Sequence, residues 1–229
     1  MIFRGNKEIS EKLGLKTANV DMHSHILPEF DDGARDLEET LELCHEMVRN
    51  NYEAVIWTPH YNIPSFPKTD PLMIRKHFEK YAPLIEIKTG LKVFMGSELY
   101  CRPPIPEELV PLAGTDFVLI EFPYDTYPQY LDEIIYNIQL KGYRIIFAHV
   151  ERYTWLFPEK KKLFKRSYDY TLIEKLKEKN IYFQVNQTTL ENPDAFPCMQ
   201  LLYQKDYIEF VGSDKHRRED RRILVNFNE

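Results

Sequence analysis

Cysteine is scarce: Cys44, Cys101 and Cys198 are the only three in 229 residues. Odd in number and far apart, they make neither a disulfide framework nor a CxxC metal site, so a reducing cytoplasm is the expected location. Glycine is scarcer than in most chains, with 8 residues and no GxxxxGK, which excludes a Walker-type nucleotide loop. A basic excess is missing too: 30 Lys and Arg face 36 Asp and Glu, for a net charge of −6. Nucleic acid is therefore not an expected partner, since its binding rests on cationic contacts to phosphate. No stretch approaches the roughly 20 apolar residues of a membrane span. The opening MIFRGNKEISEKLGLK lacks the apolar run of a secretory signal, so no membrane insertion is expected.

What the chain does contain is a globular composition, 43% hydrophobic and 29% charged, of a length suited to one barrel-sized domain or two small ones. With 15 Tyr and 14 Phe it is rich in aromatic residues, as a large core or a binding groove requires. Short apolar runs predict strands at 19–23, 54–58, 92–97, 117–122, 144–149, 181–185 and 208–212. Helical patterns lie between them. Asp36 and Glu39 form a capping box for 37–50, with Leu41, Cys44, His45 and Val48 on one face. Pro71 opens a helix over 71–87, Gly142 closes one over 130–141, and two more are expected over 168–179 and 193–204. Prolines confine 103–111 to a short helix at most. Strands alternating with helices imply an α/β fold with a parallel sheet, and the length favours a distorted seven-stranded β/α (TIM-like) barrel. Residues 1–17 read as an N-terminal extension to a single domain, and the brief stretch after Asp214 predicts imperfect closure.

The predicted strands end in polar residues. The first ends in Asp21-Met22-His23-Ser24-His25, and the next in Thr58-Pro59-His60, Gly96-Ser97-Glu98 and Glu121. His149, with Glu151 and Arg152 behind it, follows; then Asn186; then Ser213-Asp214 and His216. In a parallel barrel these ends converge on the face where active sites are built. Five of the seven histidines fall there. Imidazoles and carboxylates together, without thiolates, make the ligand set of a divalent-metal site. His45 and His77 fall within helices and read as ordinary helix residues, and Cys101 reads as core.

Several segments resemble the polymerase and histidinol phosphatase (PHP) family. They are Asp-Met-His-Ser-His-Ile-Leu-Pro-Glu-Phe-Asp-Asp-Gly (21–33), Thr-Pro-His (58–60), Gly-Ser-Glu-Leu-Tyr (96–100), Ile-Glu-Phe (120–122), Ala-His-Val-Glu-Arg-Tyr (148–153), Gln-Val-Asn (184–186) and Ser-Asp-Lys-His (213–216). Within that family the chain is similar to the metal-dependent protein-tyrosine phosphatases of capsule and exopolysaccharide systems. The resemblance implies a PHP-type barrel with up to three divalent metals, typically Mn²⁺, with Fe, Co or Zn compatible with the same ligands. It implies a first metal on His23, His25, Glu98 and Asp214, a second on Glu98, Glu121 and His149, and a third on Asp32, His60 and His216. It further implies that Arg152 and Arg221 hold the phosphate, that a hydroxide shared between metals attacks phosphorus, and that the partner is a phosphotyrosine protein, the tail of a cognate tyrosine kinase. Lys215, Arg217 and Arg218 make the surroundings of His216 more basic than the family pattern.

Other chemistries fit less well. A cysteine-dependent phosphatase needs Cys-x5-Arg, and the residues six beyond each cysteine are Asn50, Glu107 and Gln204. A histidinol-phosphate phosphatase would use the same site, and a nuclease is disfavoured by the acidic charge. A non-catalytic, kinase-binding regulator is the reading from another class, and the complete ligand set opposes it.

Overall fold

A computed structural model describes residues 3–160 and 167–219. Its elements run α1 (Arg4–Lys12), β1 (Val20–Ser24), α2 (Leu37–Arg49), β2 (Ala54–Trp57), β3 (His60–Tyr61), α3 (Pro71–Thr89), β4 (Lys92–Met95), β5 (Glu98–Tyr100), β6 (Phe117–Glu121), α4 (Leu131–Leu140) and β7 (Arg144–Phe147). They continue with a small hairpin, β8 (Glu159–Lys160) and β9 (Ser167–Tyr168), then α5 (Thr171–Glu178), β10 (Tyr182–Asn186), α6 (Gln187–Glu191), α7 (Met199–Gln204) and β11 (Phe210–Gly212). Every strand pairing outside the hairpin is parallel.

The parallel strands form two sheets, β1-β2-β4 and β11-β10-β7-β6-β5-β3. β2 and β3 are two halves of one path broken at Pro59, which has no N–H to give a ladder; β4 and β5 are likewise broken at Gly96-Ser97. Backbone bonds cross both breaks, from Gly96 N to the Trp57 carbonyl (2.8 Å) and from Glu98 N to the Pro59 carbonyl (3.1 Å). Counted as paths, the strands number seven. β11 returns beside β1 through one parallel bridge, Ser24 to Lys215, flanked by bonds from Asp214 N to His23 O (2.8 Å) and His25 N to Lys215 O (2.7 Å). The curled sheet thus closes, but only through this bridge and its two flanking bonds. Gly212 permits this approach, since a Cβ there would lie 2.5 Å from the His23 Cβ.

The interior is layered. Phe117 and Leu119 of β6 join Val20, Met22, Ile56, Ile146 and Phe210 in an apolar lower layer. Two residues above Leu119 on the same face stands Glu121, in the polar layer at the strands' C-terminal ends. Helices cover the outside: α2 and α3 pack over β2 and β4, while α4, α5 and α7 pack over β6, β7 and β10.

Within the expected N-terminal extension, α1 packs Ile9 into the apolar lower layer. The Asn6 amide of α1 donates to Val20 O (3.2 Å) and Val211 O (2.9 Å) and accepts from Val211 N (2.9 Å). It bridges β1 and β11 where their ladder is missing. Several expectations are corrected. The predicted helix over 193–204 is broken, because Pro197 cannot continue it; a 3₁₀ turn at Pro193–Ala195 precedes α7. The helix predicted from 168 begins at Thr171, Tyr168 being taken into the hairpin. The prolines of 103–111 hold no helix. In α2 the buried face is Thr40, Leu43, Cys44 and Met47 rather than the one through Leu41 and Val48, and His45 is exposed. The Asp36 cap forms as expected, accepting from Glu39 N (2.8 Å), but Glu39 reaches back to Arg35 N instead of Asp36 N.

Candidate metal centre

The polar layer brings the strand-end residues into one cluster. His23 lies in β1 within a register irregularity between Asp21 and Ser24, and His25 follows directly after the strand. Their Nε2 atoms face each other at 3.2 Å. The Glu98 carboxylate lies between them, 3.3 Å from each Nε2, and Asp214 Oδ1 lies 3.7 Å from each. His149 Nε2 is 2.8 Å from Glu98 Oε1 and 3.5 Å from Glu121 Oε1. His60 Nδ1 is 3.1 Å from Glu98 Oε2. At the outer edge Asp32 Oδ1 is 3.5 Å from both His60 Nε2 and His216 Nε2. His149 and Asp214 hold positive φ, 33° and 52°, a conformation costly for residues other than glycine and typical of functional sites.

Residues behind the ring orient it. Asp31, buried, takes His25 Nδ1–H at 2.9 Å, His60 N–H at 2.9 Å and Gly33 N–H at 3.0 Å. Gly33 is required here, since a Cβ would lie 1.5 Å from the His25 carbonyl oxygen. Gln184 Oε1 lies 3.1 Å from His23 Nδ1 and accepts from His149 N at 2.8 Å. Asn186 donates to Asp214 Oδ2 (2.9 Å). With Nδ1–H donating backwards, the Nε2 lone pairs of His23 and His25 point at each other, an arrangement that favours a shared cation.

The electrostatics agree. Burial opposes a charge on His23, His25 and His60, yet the neighbouring carboxylates outweigh it and raise all three pKa values. Burial, with the charge of Glu98, pushes Glu121 up to about 7. Burial also pushes His216 down to about 4, helped by His25. A cluster that draws protons onto its imidazoles carries surplus negative charge. Glu121 Oε2 and His149 Nδ1 are buried without a hydrogen-bond partner. Three sets of donors lie within 4.8 Å of one another: His25, Asp32, His60 and His216; His23, His25 and Asp214; and His60, Glu98 and Glu121. Nitrogen and oxygen donors that are convergent, buried and partly unpartnered fit divalent ions.

The structure therefore gathers His23, His25, Asp32, His60, Glu98, Glu121, His149, Asp214 and His216 at one place. The geometric sets cut across the expected three-way division, because His25 and His60 each stand between two sets. Arg152 reaches the rim, its Nη2 2.9 Å from Asp214 Oδ2 and its side chain about a third exposed at 31%. Arg221 lies outside the described residues. Arg217 and Arg218 are engaged, with the Asp32 carbonyl (3.0 Å) and with Glu42 (2.9 Å), and Lys215 is buried. Cys101 is core, as expected. Sequence reasoning missed Asp31 and Gln184, and also Tyr124, whose hydroxyl donates to Glu121 Oε1 (2.5 Å) and stands 3.5 Å from Arg152 Nη1.

Comparison with known proteins accords with this geometry. The family described as capsular polysaccharide synthesis, CpsB/CapC, matches residues 19–226. The tyrosine-protein phosphatase YwqE of Bacillus subtilis is 30% identical over 213 residues, 88% of this chain and 79% of its own. The tyrosine-protein phosphatase CpsB of Streptococcus agalactiae is 27% identical over 216 residues, covering 88% and 84%. A solved structure described as one of the metal-dependent tyrosine phosphatases YwqE and CpsB superposes with a TM-score of 0.75 at 30% identity, over 90% of this chain and 82% of that one.

Proposed function

The chain belongs to the CpsB/CapC family of capsular polysaccharide synthesis, and from that premise we propose that it removes phosphate from the tyrosine-bearing tail of a capsule or exopolysaccharide kinase in the cytoplasm. It is a metal-dependent tyrosine-protein phosphatase of the YwqE and CpsB type. The observation that carries the reading is the convergence of five imidazoles with the carboxylates of Asp32, Glu98, Glu121 and Asp214 at one end of the ring. The ions belong on His23, His25, Glu98 and Asp214; on Glu98, Glu121 and His149; and on Asp32, His60 and His216. Manganese is the first choice, and iron, cobalt and zinc suit the same donors.

Bound there, divalent metals supply an activated water and Lewis-acid stabilisation of charge on the phosphoryl group. The chain's own groups do the rest. Arg152, held charged despite burial by Asp214 and Tyr124, offers its planar fork at the rim to phosphoryl oxygens. Arg221 has the same role in this reading. Asp214 and Tyr124 restrict the Arg152 rotamer, so less entropy is lost when it binds. Burial pushes the Tyr124 hydroxyl pKa upward, so it remains a neutral donor facing Glu121. A departing tyrosyl oxygen, with a pKa of about 10, needs less proton assistance than an alkoxide.

The test is metal content by mass spectrometry alongside hydrolysis of a phosphotyrosine peptide with and without added Mn²⁺. Two or three metals per chain and metal-dependent turnover are expected. Bound metal without turnover on any phosphotyrosine peptide would overturn the assigned substrate.

A further inference from the structure

Beyond Arg152 the surface stays concave. A cleft of about 520 Å³ is lined by Arg152 together with Tyr124, Phe157, Tyr168, Phe196 and Pro197, and Asp125 and Glu159 also border it. A second, of about 530 Å³, shares Tyr168, Phe196 and Pro197 and continues past Tyr170 and Pro193 to Gln200. None of the candidate metal ligands lines either one. The first is walled mainly by apolar surface, and its floor includes Glu151, 3% exposed. Glu151 Oε1 accepts from Asn186 N (3.0 Å) and Thr189 Oγ1 (2.8 Å), while Oε2 has no partner. In the second cleft Ser167 Oγ is also buried without a partner.

We propose that this double cleft is the groove for the polypeptide carrying the phosphotyrosine, seating an apolar or aromatic side chain next to the modified residue; the assignment rests on the phosphatase reading above. Three features argue for a peptide occupant. The groove is continuous with the site, since Arg152 and Tyr124 belong to both. It is larger than one phosphate ester needs, because Arg152 lines only the first cleft and each concavity has the size of a pocket for a whole small ligand. Successive pockets joined by shared walls suit an extended chain, whose side chains project at regular intervals. Aromatic walls give large contact area and bind apolar side chains without a fixed hydrogen-bond pattern.

The experiment compares two short phosphotyrosine peptides, one with leucine on both sides of the modified residue and one with glycine, on the Mn²⁺-loaded full chain. p-Nitrophenyl phosphate is a third substrate for the wild type. The wild type is expected to prefer the leucine peptide by about tenfold in kcat/KM, through KM, the scale of one buried apolar side chain. In Phe196→Ala and Tyr168→Ala that ratio is expected to fall towards one. Equal use of the two peptides by the wild type would overturn the groove, and the wild-type comparison requires no variant to fold. A ratio unchanged in both variants would overturn it as well. Turnover of p-nitrophenyl phosphate keeps the phosphatase reading in either case, whereas inactivity on all three substrates would remove that reading and the groove with it.

Discussion

Asp31 and Asp32 are chemically identical neighbours with different work. Asp32 faces outward towards His60 and His216; Asp31 is buried and accepts from His25, His60 and Gly33. Burial would raise the Asp31 pKa, but the charge of His25 outweighs it and lowers it. Asp31→Asn would leave His25 without a charged acceptor and free its ring to turn. Metal affinity is expected to fall about 10–100-fold with the fold retained, measured by competition with a chelator; unchanged affinity would remove Asp31 from any positioning role. Arg152 and Asp214 divide differently. Asp214→Ala is expected to lose metal and activity together. Arg152→Ala is expected to keep the metal and lose about 10²-fold in kcat/KM on a phosphotyrosine peptide, as when a charge-stabilising donor is removed. Loss of metal from the arginine variant would show that the two roles are not separable. Eight of the nine candidate ligands were legible because each is a histidine or carboxylate at or beside a predicted strand end; Asp32, in the loop after the first strand, came only from the family resemblance. Asp31, Gln184 and Tyr124 were not legible, because a group acting behind a ligand has no spacing of its own. Between two adjacent aspartates, only the fold decides which turns inward.

At the scale of elements, the strands were easier to read than the helices. A strand in this ring is buried on both faces, so its apolar run is continuous and its position survives an error of a residue or two. A helix is amphipathic, and such an error rotates its face; in α2 the buried stripe passes through Leu43 and Met47, one residue from the predicted one. α1 was missed altogether, because of its buried residues Gly5, Asn6, Ile9 and Ser10 only Ile9 is a large apolar residue. Its packing rests on the Asn6 bonds to β1 and β11, and on Gly5, where a Cβ would meet the Phe210 ring at 2.4 Å. α1 is therefore part of the barrel's closure. Ile9→Ala is expected to destabilise the protein by about 2–5 kcal/mol, the usual range for emptying a packed core position. Urea unfolding would measure it, and a change within error would mean that α1 docks without contributing to the core.

At the scale of the whole molecule, a set of buried carboxylates is gathered at the end of the ring where the strands' C-termini converge. Without a cation they are balanced in part by protons. His23, His25 and His60 have folded pKa values raised above 6.5, and burial holds Glu121 at about 7. A group whose folded pKa is raised contributes stability that is complete below its unfolded pKa and lost as the pH rises through its folded one. The carboxylates held low, Asp31, Glu98 and Asp214, finish titrating in the acid range, and so does His216. Above roughly pH 6.5, the unfolded value for histidine, the raised groups dominate the site's titration and all push the same way. Metal-free protein should therefore lose thermal stability as the pH rises from about 6.5 to 8.5. Metals seek the same imidazole lone pairs and carboxylate oxygens as those protons. Their binding should release protons near neutrality and tighten as the pH rises. Loading with Mn²⁺ at 100 times its Kd should add about 2.7 kcal/mol per independent site. The gap in Tm between loaded and chelator-stripped protein should widen with pH. Thermal melts across that range would show the trend, and calorimetry in two buffers of different ionisation enthalpy would count the protons. A Tm gap independent of pH, with no proton release, would mean that the metals do not compete for these donors.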